Sequence, residues 1–196
     1  MHKELASPLA STVSSAPAWL RNAAIVILGS AFVAACSHVA LPLWFTPVPL
    51  TMQPFAVLLL GLFLAPSLVA ATLGAYLLEG ALGLPVFAPG FGFGAGIAHL
   101  LGPTGGYLLS YPGAAMLISY LWRRGSRGFS AAVASAALGN LVILLCGFLW
   151  ISAYTHASAR TAFALAVLPF LPGDALKVVA AAALAAGSRR IRRNRA

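Results

Sequence analysis

Asp174 and Lys177 stand three residues apart in the stretch LPFLPGDALKVVAAAALAAG, Leu168 to Gly187, of a chain in which only 8% of residues are charged. An aspartate after Pro-Gly is a favoured helix N-cap, its carboxylate accepting from a backbone N–H of the first turn, and the pattern predicts a helix starting near Asp174. Capping does not account for the lysine. Three residues into a helix, a cation faces the positive end of the helix dipole, which disfavours it. Lys177 then either snorkels to an interface or helps the helix N-terminus attract a small anion. The second reading makes the pair a carboxylate-binding site.

Away from Arg160 and the chain's basic clusters, only Glu79 joins these two as an Asp, Glu, Lys or Arg within the apolar region. A charge at mid-membrane costs about 2.5–3.5 kcal/mol on the insertion scale, so such residues pair, face a cavity or serve function. Glu79 is expected to pair with Lys177 or Arg160, or to lie at the interface. Gln53, Tyr76, Thr104, Tyr107 and Asn140 are further polar groups able to face inward, although polar side chains in membrane helices also act as interhelical glue. His38, His99 and His156 lack ligand spacing, so no metal site is expected, and Cys36 and Cys146 have no CxxC spacing. GFGFGAG and GPTGG lack the GK[ST] ending of a phosphate loop, and neither GxSxG nor HExxH occurs. The residues favour a binding protein over an enzyme and require no cofactor.

The elements that must position these groups follow from composition. With 61% hydrophobic residues and a mean hydropathy of +0.94, the chain has too little polar surface for water. Its apolar runs are long and do not alternate, which excludes a barrel and predicts an all-α integral membrane bundle. Six transmembrane spans are predicted: Trp19 to Leu41, Gln53 to Leu64, Ser67 to Leu84, Gly106 to Trp122 interrupted by Pro112, Phe129 to Ala153, and a final segment from Ala164 to Gly187. Residues 1–18 read as a polar tail, 19–188 as the membrane domain and 189–196 as a basic cytoplasmic tail. YTHASARTAF is read as a linker.

The net charge of +9 comes from clusters flanking the spans, which argues for topology and against nucleic acid. The outer side carries only Arg160, so both termini are expected in the cytoplasm. Two uncharged irregular segments, PLWFTPVPLTMQP and PVFAPGFGFGAGIAHLLGPTGG, then share the outer face with the start of the last helix. Irregular backbone avoids lipid, so an outward-open cavity is expected there.

The ordered blocks TPVPLTMQ, YLLEGALGLPVFA, LLGPTGGYLL and LPFLPGDALK resemble the BioY family, the biotin-binding S components of energy-coupling factor transporters. The resemblance implies a six-helix subunit of a bacterial inner membrane that captures biotin from outside. It also implies association with a transmembrane coupling protein and two ABC-type ATPases, and reorientation of the subunit within the membrane. Asp174 and Lys177 match the family's ligand-contacting pair. Two departures stand out: there is no arginine between Trp44 and Trp122, and GYLLSYP carries Ser110 where glycine is common and Pro112 soon after. A coupling surface is implied on the first helix, where Ser30 with Ala34 and Ala31 with Ala35 form small-residue pairs that permit close approach. Packing inside the bundle is the competing reading of those pairs. Work alone, as a homo-oligomer, or with a dedicated or shared coupling module are all compatible with the sequence. The rival functions are an S component for riboflavin or thiamine and, from another class, a membrane-embedded enzyme or scaffold.

Overall fold

In the computed structural model, which describes residues 17–89 and 94–194, helices dominate. They are α1 (Ala18–His38), α2 (Gln53–Phe63), α3 (Pro66–Ala81), α4 (Ile97–Leu100), α5 (Gly105–Arg124), α6 (Phe129–Thr155), α7 (Ala159–Ala166) and α8 (Leu171–Asn194). Six of the eight correspond to the expected spans. α1, α6 and the Leu171–Ile191 part of α8 are long and apolar enough to cross a membrane. α2 has 11 residues and at 1.5 Å per residue reaches only about 16 Å, roughly half the hydrocarbon thickness.

The proline-rich segment before α2 completes the layer. It is a hairpin, which composition did not foretell: β1 (Ala40–Leu41) pairs antiparallel with β2 (Leu50–Thr51), Ala40 opposite Thr51. Val48 and Thr51 are buried there, and the Thr46 hydroxyl donates to the Leu165 carbonyl at 2.9 Å. The linker YTHASARTAF likewise ends in a helix, α7, whose N-cap Ser158 accepts from the Thr161 N–H. Irregular backbone at this depth is tolerated because protein, not lipid, surrounds it.

Burial separates two faces on helices that are apolar all round. On α6, Ala132, Ser135, Ala136, Gly139, Asn140, Ile143, Leu144, Gly147 and Ile151 are buried, whereas four other leucines, Leu138, Leu141, Leu145 and Leu149, are exposed. Small residues inward and leucines outward is the membrane pattern, since close backbone approach, not the hydrophobic effect, drives helix association in lipid. Pro112 lies within α5 without ending it. α8 continues through Arg189 to Asn194, so the basic segment extends a helix instead of starting a separate tail. The amino-terminal tail assigned to residues 1–18 lies almost wholly outside the described residues, as do 195–196.

Candidate functional site

The site is built from the first two turns of α8. That helix begins at Leu171, and the Asp174 N–H already makes a helical bond to the Phe170 carbonyl at 2.8 Å. Asp174 is therefore within the first turn and is not the N-cap expected from Pro-Gly; its carboxylate is free to point inward. Lys177, one turn on, donates to Asp174 Oδ1 at 2.9 Å, and both side chains are about 95% buried. From α6, Asn140 Nδ2 donates to Asp174 Oδ2 at 3.2 Å. Asp174 thus has a partner on each oxygen. A buried ion pair is weak evidence of stability, because desolvation rivals the Coulomb gain.

The pair borders a cavity between the two irregular segments and α2, α5, α6 and α8. Thr51 and Gln53 contribute from the hairpin and α2, His99 and Thr104 from the glycine-rich segment, Tyr107 and Tyr111 from α5, and Phe170 from the approach to α8. The cavity encloses about 520 Å³ counting its mouth, but only about 40 Å³ of it has room for the centre of a water molecule.

Supporting contacts fix this lining. Gln53 donates to Tyr76 Oη from α3, Thr51 donates to Gln53 Oε1 at 3.2 Å, and Tyr76 donates to the Val86 carbonyl at 3.1 Å. Phe87 stacks on His99 with centroids 5.0 Å apart and meets Tyr76 edge-on at 5.4 Å. Tyr107 donates to the Ala166 carbonyl at 2.6 Å, and Trp150 Nε1 donates to the Gly102 carbonyl at 2.8 Å. Gly147 makes the Tyr107 position possible: a Cβ there would sit 2.2 Å from the ring. Burial holds the His99 imidazole below its ordinary pKa.

Among the described residues, two buried polar atoms have no protein partner, Asn140 Oδ1 and Thr104 Oγ1. Leaving such an atom unpaired costs about 1–3 kcal/mol. Thr104 is on the cavity lining, and Asn140 is behind it, beside Asp174. The Lys177 ammonium has three donors, of which the Asp174 bond uses one. The arrangement offers a carboxylate, an ammonium and a hydroxyl around an apolar and aromatic slot, and is suited to holding a small ligand with donors at one end.

The expected residues fall into three groups. Asp174, Lys177, Gln53, Thr104 and Tyr107 border the cavity. Asn140 and Tyr76 stand behind it, holding Asp174 and Gln53. Glu79 is elsewhere: it pairs with neither Lys177 nor Arg160 but accepts from the Ser30 hydroxyl at 2.9 Å, an α1–α3 clasp. That bond turns Ser30 inward. Ala34 is half-buried with it, while Ala31 and Ala35 are exposed.

A protein-family model described as the BioY family matches residues 4–194. The chain belongs to the BioY family. It is 43% identical to the "Probable biotin transporter BioY" of Pyrococcus horikoshii over 71% of this chain and 79% of that protein. It is 34% identical to the "Biotin transporter BioY" of Thermotoga maritima over 80% and 88%. Against the Lactococcus lactis "Biotin transporter BioY2" the figures are 32% over 82% and 85%. The crystal structure of "the S-component for biotin from an ECF-type ABC transporter" shares its fold, with a TM-score of 0.79 at 24% identity over 88% of this chain and 92% of that one. Membership of the BioY family makes this a membrane transport protein and not an enzyme.

In this BioY chain, sequence reasoning missed His99, Tyr111 and Phe170 among the lining residues. Phe170, Asp174 and Lys177 follow at intervals of four and three, the spacing that puts side chains on one helix face, so Phe170 was recoverable. His99 was not, because its inward position depends on stacking against Phe87 across the fold.

Proposed function

We propose that this chain is the biotin-binding S component of an energy-coupling factor transporter, and that the cavity beside Asp174 and Lys177 holds the vitamin. The observation that carries this reading is a buried acid–base pair flanked by unpaired polar atoms on an apolar slot. Biotin complements each part: its ureido ring has two N–H donors and a carbonyl acceptor, its thiophane ring and valeryl chain are apolar, and it ends in a carboxylate. Asp174 accepts from a ureido N–H group, with Asn140 holding it from behind, and Lys177 donates to a ligand oxygen. The similarity to biotin transporters of other organisms supports the same ligand.

Arg123, Arg124, Arg127, Arg189 and Arg190 gather at the end opposite this cavity, and the positive-inside rule assigns that end, with both termini, to the cytoplasm. The cavity then opens outward. The exposed small pair Ala31 and Ala35 on α1 is the surface for a coupling protein, with two ATPases supplying energy.

Isothermal calorimetry on the purified chain tests the reading: saturable biotin binding is expected, lost or strongly weakened in Asp174→Ala and Lys177→Ala. Absence of saturable binding by the folded wild-type chain refutes it.

A further inference from the structure

At the end of the bundle remote from the Asp174 cavity lies a much larger cleft of about 1090 Å³, between the ends of α2, α5 and α8 and the α5–α6 turn. Its rim is basic, with Arg123, Arg127, Arg189 and Arg190, and its wall is apolar, with Leu62, Phe63 and Ala185. Trp122 links the two, buried in the wall and carrying the Arg189 guanidinium 5.9 Å from its ring centre. Local bonds hold two of the charges together: Arg123 Nε donates to Ser119 Oγ and Arg127 Nη2 to the Arg123 carbonyl, both at 3.3 Å. Arg127 reaches there from a left-handed backbone, φ 55°.

Four guanidinium groups around one cleft repel one another unless an anion intervenes. The protein does not provide one among the described residues. Their only acidic side chains are Glu79, bonded to Ser30, and Asp174, paired with Lys177 at the remote cavity. Nothing among the described residues neutralises these charges, so the cleft presents net positive charge to an anion from outside. An apolar wall running into a basic rim matches one amphipathic partner, a phospholipid whose acyl chains lie against Phe63 and Leu62 and whose phosphate meets the arginines. Basic pockets between transmembrane helices at the cytoplasmic interface recognise anionic headgroups in this way.

We propose that this cleft is a binding site for an anionic phospholipid, with Arg123, Arg127, Arg189 and Arg190 as headgroup ligands. The site needs no biotin, so its fate is separate from that of the cavity reading. Native mass spectrometry of the full chain, released from nanodiscs of phosphatidylcholine mixed with phosphatidylglycerol or cardiolipin, counts the retained lipid. The wild-type chain is expected to keep anionic lipid selectively. Arg127→Gln with Arg189→Gln is expected to lose it by roughly fivefold for each charge removed, while Arg160→Gln on α7 retains it. Because the double variant could unfold, thermal melting of the wild-type chain gives a second reading: phosphatidylglycerol raises the midpoint relative to phosphatidylcholine, and inorganic phosphate at the same concentration does not. Equal retention of neutral and anionic lipid overturns the proposal. So does stabilisation by inorganic phosphate alone, which identifies a free-anion site. Loss of co-purifying coupling subunits in the double variant, with lipid retention unchanged, assigns the cleft to a protein partner instead.

Discussion

Asp174 has both carboxylate oxygens occupied, one by Lys177 and one by Asn140, yet it lies beside an amide oxygen with nothing to accept. In the proposed reading, removing the acid deletes a charge-assisted hydrogen bond to the ureido ring. Asp174→Ala is therefore expected to weaken biotin binding by about 1.5–3 kcal/mol, measured by calorimetry. Thr104 gives a sharper test because two effects have opposite sign. Its hydroxyl oxygen is buried without a partner, so Thr104→Val removes a polar atom that costs the ligand-free protein energy and should leave its melting temperature equal or higher. If biotin completes that hydroxyl, the same change weakens binding by roughly 1 kcal/mol. Unchanged affinity would remove Thr104 from the site. The chemistry at this scale was largely legible in the sequence because charge is so expensive in an apolar chain that each occurrence asks for a reason. Glu79 shows where that logic fails. The expectation for Glu79 is a pair with Lys177 or Arg160, or a place at the interface; it takes neither cation but accepts from the Ser30 hydroxyl, and nothing in the spacing of two residues 49 positions apart specifies that bond.

At the scale of elements, the long helices were readable from apolar runs bounded by Pro42, Pro66 and Pro85, because proline interrupts the helical ladder and few polar residues blur the pattern. The hairpin, α4 and α7 were not. They are short and form because tertiary bonds such as Thr46 to Leu165 and Trp150 to Gly102 hold otherwise irregular backbone, and such bonds have no local signature. Close approach of α5 and α6 rests on Gly147, where a methyl group would meet the Tyr107 ring at 2.2 Å. The ring cannot retreat easily, since its hydroxyl is tied to the Ala166 carbonyl. Gly147→Ala is expected to destabilise the bundle by about 1–3 kcal/mol, seen as a lower melting temperature in detergent. Gly74→Ala on α3, where an added Cβ meets nothing within 4 Å, is the control expected to show no loss. The α4 segment adds a pH dependence. His99 is held below the ordinary imidazole value of 6.5 by burial, so as pH falls through that value the unfolded chain takes up a proton before the folded one does. Stability contributed by the neutral ring is present above about pH 6.5 and declines below it. The protection factors of residues 97–101, measured by hydrogen exchange and corrected for the intrinsic pH dependence of amide exchange, should fall on acidification, and His99→Gln should flatten that response.

For the whole molecule, the proposed reading asks which surface would meet a coupling protein. Exposed leucine carries no information here, because lipid is as apolar as leucine and leaves such side chains content; small residues are informative because they let another helix come close. On α1 the two candidate pairs separate cleanly. Ser30 and Ala34 turn toward α3, fixed by the Ser30–Glu79 bond, which leaves Ala31 and Ala35 on the exposed face beside Ile27 and Leu28, themselves 64% and 70% exposed. Ala31→Leu with Ala35→Leu adds bulk that lipid accommodates but a closely packed helix does not. The isolated chain should therefore fold and bind biotin as the wild type does, since neither residue touches the cavity, while biotin uptake by cells or proteoliposomes containing the coupling protein and ATPases should fall by an order of magnitude or so, as expected for a lost packing contact of about 1–3 kcal/mol. Ser30→Ala is the counterpart. It breaks the clasp to Glu79 and should lower thermal stability with little effect on coupling once the protein is folded. Uptake that survives the double leucine change intact would exclude this face of α1 from coupling and leave the contact to be sought on another helix.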